Sequence, residues 1–154
     1  MRQRWLRIGL LAGIAFAINV AGRLVVRIGS IDDADGQQRV ALAAFLAIGV
    51  AMATAAVIWT RQRPVGDVAT DLAGGGFFGG LLCLLIGPFV GGSSPTAEGL
   101  EVFLAQGGLF AAYAGGGAAF GMLLVIALGK DYVSRSLARF AQEKLAKPRR
   151  PVRG

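Results

Sequence analysis

Residues 40–60 read VALAAFLAIGVAMATAAVIWT, without one charged side chain. A helix needs about 20 such residues to cross the hydrocarbon core of a bilayer. Three more stretches have the same character: Ile8–Ile28, Leu72–Gly91 and Gln106–Gly129. The interiors of the last two also lack Lys, Arg, Asp and Glu. Four spans of this length predict an all-α integral membrane protein, a four-transmembrane-helix bundle over residues 1–129. A short cytoplasmic tail, residues 130–154, follows. The 154 residues, 55% hydrophobic with a mean hydropathy of +0.60, leave no room for a separate soluble domain.

The charges between the spans set an orientation. Arg2, Arg4 and Arg7 precede the first span, and Arg61 and Arg63 separate the second from the third. Lys130, Arg135, Arg139, Lys144, Lys147, Arg149, Arg150 and Arg153 follow the fourth. The alternate loops are acidic, with Asp32, Asp33 and Asp35 in one and Glu98 and Glu101 in the other. Basic residues gather on the cytoplasmic side of a membrane. The expectation is a multi-pass protein of the plasma (inner) membrane with both termini cytoplasmic. Trp5, Trp59 and Tyr132 fall at that side's boundaries, where amphipathic rings are favoured. A cleaved signal peptide is the rival reading, since Ala15-Phe16-Ala17 has a small-x-small form. The apolar run continues past it through Ile18, Val20 and Leu24–Val26. The net charge of +7 follows the span ends, so no nucleic-acid partner is expected.

Glycine dominates the third and fourth spans. Ala73–Gly80 reads AGGGFFGG and Ala114–Gly121 reads AGGGAAFG. Small residues let helix backbones approach closely, and lipid offers no competing hydrophobic drive. Gly75, Gly76, Gly79, Gly80, Gly117 and Gly121 are therefore the expected helix-packing residues. Counted inward from the cytoplasmic ends, Gly79 and Gly80 match Gly117 and Gly121 in depth. That predicts a close antiparallel crossing of spans three and four, with packing between copies as an alternative. A third reading unwinds the triple glycines into a backbone binding site, because glycine costs about 1 kcal/mol relative to alanine in a helix. Gly87-Pro88 adds a kink or an early stop.

Other polar features stand out against this background. Asn19, Arg23 and Arg27 recur every four residues and form a polar stripe at the outer end of span one. They either snorkel outward to pair with Asp32, Asp33 or Asp35, or line an external vestibule that attracts anions. A contact with another subunit is a third reading. Asp67 and Asp71 open span three, where acidic residues offset the helix dipole. A proton or metal site there, modulated by Arg61 or Arg63, is the chemical alternative. In the tail, Val133, Leu137, Phe140 and Leu145 trace an apolar stripe with Arg135, Arg139 and Lys144 off it. That predicts a basic amphipathic helix on the cytoplasmic leaflet, with those three as candidate tail contacts.

With no histidine and one cysteine, Cys83, histidine-ligated metals, a Ser-His-Asp triad and a CxxC pair are all excluded. No catalytic, cofactor or metal-binding residue is expected. The sequence points to a non-enzymatic subunit or accessory factor of a membrane complex. Its partners are the lipid bilayer and other membrane subunits or itself. The alternative is a small oligomeric transporter or channel for a small solute or ion.

Overall fold

The computed structural model describes residues 2–31, 33–97 and 99–146. Every regular element among them is helical: α1 Arg2–Ile28, α2 Ala34–Thr60, α3 Val65–Leu81, α4 Gly87–Gly91, α5 Leu100–Ala127 and α6 Tyr132–Ala146. A π-helical turn, Leu82–Ile86, joins α3 to α4, so the third span is one broken rod. Four helices are long and apolar enough to cross a membrane. All four begin several residues before the apolar stretches do. Apolarity marks the hydrocarbon core, whereas a helix continues until something caps it. Asp33 caps α2 by accepting a hydrogen bond from the Gly36 N–H at 2.7 Å. At the far end of α5, Gly129 takes φ 61° while its N–H and that of Lys130 bond back to Ile126 and Val125.

The bundle is held by two extensive pairings, α2 with α5 and α1 with α3, and α1 also packs on α2. The core joins Leu11 and Ala15 of α1, Ile48, Met52 and Ala56 of α2, Val68 and Leu72 of α3, Cys83, and Phe110, Ala114 and Ala118 of α5. Large apolar side chains also face outward on every span, among them Leu10, Val50, Phe77 and Phe120, each more than 60% exposed. A surface this apolar is a lipid-facing one.

The glycines do not make the expected crossing of spans three and four. A Cβ on Gly117 would strike the carbonyl oxygen of Gly49, and one on Gly121 would strike that of Ala53, both on α2. On α3, a Cβ at Gly79 would lie 3.2 Å from Ala15 Cβ and 3.3 Å from Ala12 Cα, and one at Gly75 would meet the Leu11 side chain, all on α1. Gly76 looks toward Met52 of α2, and Gly80 alone of the four on α3 meets α5, at the ring of Phe110. Depth and i, i+4 spacing place residues at one height on one face. They do not say which neighbour that face meets.

The triple glycines are not unwound either: both runs are continuous α-helix. The irregular turn lies beyond them, directly before Pro88. Proline has no N–H to offer the carbonyl four residues back, and its ring crowds that carbonyl. The wider π turn accommodates the mismatch.

Candidate functional site

Two polar clusters sit at opposite ends of the bundle. The first centres on Asp71. This residue is two turns into α3, about 9 Å from its start at 1.5 Å per residue, and its side chain is 1% exposed. Arg4 of α1 donates from Nε to Oδ1 at 2.8 Å, and Arg63 donates from Nη1 to Oδ2 at 2.7 Å. Arg7 lies one turn further along α1, with Nη1 3.8 Å from Oδ2. Arg4 also donates from Nη2 to Thr70 Oγ1 at 2.9 Å. Arg63 stacks over Trp59 at 5.4 Å.

A single buried carboxylate thus ties together the start of α1, the α2–α3 connection and α3. Burying a carboxylate without partners is prohibitive. Two short charge-assisted hydrogen bonds make it tolerable. Asp71 is therefore more than a dipole-compensating residue; Asp67, exposed in the first turn, is placed for that role. The residue types were visible in the sequence, but not their convergence, because Arg4 and Asp71 are 67 positions apart. Among the described residues, no group of acidic, cysteine or histidine side chains could hold a metal ion.

The second cluster gathers the stripe of α1 against the broken third span. Arg23 Nε donates to Asn19 Oδ1 at 3.0 Å. A Cβ on Gly87 would lie 2.6 Å from Asn19 Oδ1 and 3.1 Å from Arg23 Nε, so glycine is what lets the stripe approach the chain there. Arg27 reaches across to the Val90 carbonyl at 3.1 Å. The expected pairing of Arg27 with the first loop's aspartates is formed neither by Asp33, which caps α2 instead, nor by Asp35; Asp32 lies outside the described residues. A small cavity of about 20 Å³ opens here, lined by Arg23, Ser93, Ser94, Pro95 and Gln106 among others. That is room for about one water.

The tail contains α6, whose start Asp131 caps. Asp131 Oδ2 accepts from the Val133 and Ser134 N–H groups at 3.1 and 3.3 Å. Hydrogen bonding from Ser134 holds this carboxyl below its ordinary value. Arg135 and Arg139 are exposed, as are Leu137 and Phe140, and Lys144 folds its ammonium 4.7 Å from the Phe140 ring. Lys147, Arg149, Arg150 and Arg153 lie outside the described residues, as does the side chain of Leu145.

Sequence reasoning also passed over a set of glycines with no packing role inside the chain. Nothing lies within 4 Å of a Cβ built on Gly9 or Gly13 of α1, or on Gly108, Gly115 or Gly116 of α5. Gly9 and Gly13 have the small-xxx-small spacing, which Ala17 continues; Gly108, Ala112 and Gly116 repeat it. All six face outward. The signal was present in the spacing, but the denser AGGG runs obscured it. Comparison with protein-family models, curated proteins and solved structures finds no match to this chain.

Proposed function

We propose that the chain is a non-enzymatic subunit or accessory factor of a membrane complex, acting through helix packing and a cytoplasmic tail. The observation that carries this reading is the outward small-residue face of α1. Gly9 and Gly13 each cost about 1 kcal/mol of helix stability relative to alanine, and a Cβ on either would meet nothing within 4 Å. In lipid, such a face is useful when another helix lies against it, because close backbone approach is what drives association there. The occupant is a spanning helix of another subunit or of a second copy. In this reading the protein sits in the plasma (inner) membrane with both termini cytoplasmic, as the basic residues beside the spans favour. α6 then rests on the cytoplasmic leaflet with Val133, Leu137 and Phe140 toward lipid and Arg135, Arg139 and Lys144 toward headgroups.

Cross-linking tests the packing face. In a Cys83→Ala background, cysteine at Gly13 should cross-link to a partner helix within native membranes. Cysteine at Val50, exposed on another helix, should not. Equal cross-linking at both positions would remove the support for a specific face.

The second reading, a small oligomeric transporter or channel, draws on the other cluster. A π-helical turn, a buried glycine against Asn19 and Arg23, and a polar cavity of about 20 Å³ occur together. Irregular backbone at membrane depth is tolerated where it lines a cavity. A cavity for about one water is too small for a solute path, so conduction would need several copies.

A further inference from the structure

The Asp71 cluster holds more positive charge than its one carboxylate neutralises. Arg4, Arg7 and Arg63 converge on Asp71, which leaves two guanidinium charges uncompensated. Including the neighbouring exposed pair, Arg61 and Asp67, does not change that excess. Nor are the donors used up. Nη2 of Arg63 is buried and, among the described residues, has no hydrogen-bond partner. Arg7 approaches Asp71 only at 3.8 Å, beyond hydrogen-bonding distance, and its side chain remains 32% exposed. A buried guanidinium donor without an acceptor is costly, and like charges collected at the edge of a low-dielectric slab repel. One further anion beside Arg7, whose side chain is open to the surface, relieves the excess charge that Arg63 shares.

The location selects the anion. The cluster lies where α1 and α3 enter the membrane-spanning bundle, at headgroup depth for helices that continue into apolar spans. The same two turns of α1 turn Trp5, Leu6, Gly9 and Leu10 outward as an open apolar recess. On a helical wheel Leu10 lies about 60° from Arg7 and Leu6 about 100°, both on the same side, so Arg7 borders this apolar face. A lipid lying along α1 can therefore place acyl chain on that face and phosphate beside the arginine. Guanidinium forks match phosphate oxygens in geometry as well as charge.

We infer that Arg7 and Arg63, held by Asp71, form a specific site for the phosphate of an anionic phospholipid headgroup. Asp71 and Arg4 act as positioning residues, because they fix the cluster without needing to touch lipid. The site is separate from the tail, whose basic residues attract anionic lipid without a built geometry; its acyl recess shares Gly9 with the proposed packing face, so the lipid would lie at the edge of that helix contact.

Native mass spectrometry of the full chain, titrated with defined lipids in mild detergent, tests this. Phosphatidylglycerol should bind about tenfold more tightly than phosphatidylcholine, whose choline cancels the phosphate charge, as one charge-assisted contact is worth about that factor. Arg7→Gln should remove that preference, while the double substitution Arg135→Gln with Arg139→Gln should keep it. Equal affinity for the two lipids, or a preference that survives Arg7→Gln, overturns the site. Should Arg7→Gln fail to fold, Arg7→Lys keeps the charge but loses the fork and should bind phosphatidylglycerol a few-fold more weakly; unchanged affinity overturns the site. Inorganic phosphate that displaces phosphatidylglycerol at matched concentration would assign the site to a soluble anion and overturn its lipid source.

Discussion

Arg63 reaches from the α2–α3 connection to Asp71, Nη1 to Oδ2 at 2.7 Å, and so closes the turn between two membrane-spanning helices on a buried charge. Removing one partner of a buried ion pair leaves the other uncompensated, typically at a cost of about 3 to 5 kcal/mol. Here the loss of Asp71 would strand three arginines. Asp71→Ala should therefore lower unfolding stability in detergent by about that amount. Arg4→Ala, at a side chain 56% exposed, should cost about 1 kcal/mol or less. Equal effects of the two substitutions would show that the carboxylate is not the centre of the cluster.

Neighbouring glycines on α5 should respond oppositely. Gly117 faces the backbone of Gly49, and Gly116 faces open space. Gly117→Ala forces α2 and α5 apart and should cost about 1 to 3 kcal/mol, as overpacking usually does. Gly116→Ala should instead stabilise the chain in detergent by up to about 1 kcal/mol, through better helix propensity. Chemical unfolding of both variants beside the parent measures the contrast.

α6 should be acid-sensitive through its cap. The folded Asp131 carboxyl sits below its ordinary value of 3.8, so the folded helix holds the proton less tightly than the unfolded chain. The stabilisation is complete above that ordinary value and fades as pH falls through the lower folded one. Helicity of the tail, followed by NMR in micelles, should be constant from neutral pH to about pH 4 and decline below it. In Asp131→Asn, whose amide oxygen caps without titrating, the decline should disappear.

Orientation is testable by labelling in a Cys83→Ala background. Cysteine at Ser94 should react with an impermeant reagent from outside the cell, and cysteine at Ser136 should not. The reverse pattern would invert the topology inferred from the basic residues.

Much of the architecture could be read in the chain because hydrocarbon thickness and helix rise are fixed lengths. The uncharged run 40–60 is long and apolar enough to cross a bilayer. Partners across the bundle were another matter. Gly117 and Gly121 were recognisable as close-contact residues, yet their contact is α2 and not α3, since spacing sets a face without naming what it meets. Asp71 was legible as a charge at a span's edge. Its burial was not, because that depends on Arg4 folding back from 67 positions away. The π turn was legible only as the disturbance that Pro88 had to cause somewhere.

The outward face at Gly9 and Gly13 is proposed to dock another membrane helix. Native mass spectrometry of the parent and of Gly13→Leu, both released from bilayers, tests it most directly. The parent should run as a defined complex, either with an identified subunit or with itself. Gly13→Leu should shift it to a single chain whose thermal stability is not lowered, because a Cβ there meets nothing within 4 Å and leucine is the better helix former. A parent that is a single chain, or a complex that survives Gly13→Leu intact, would contradict it.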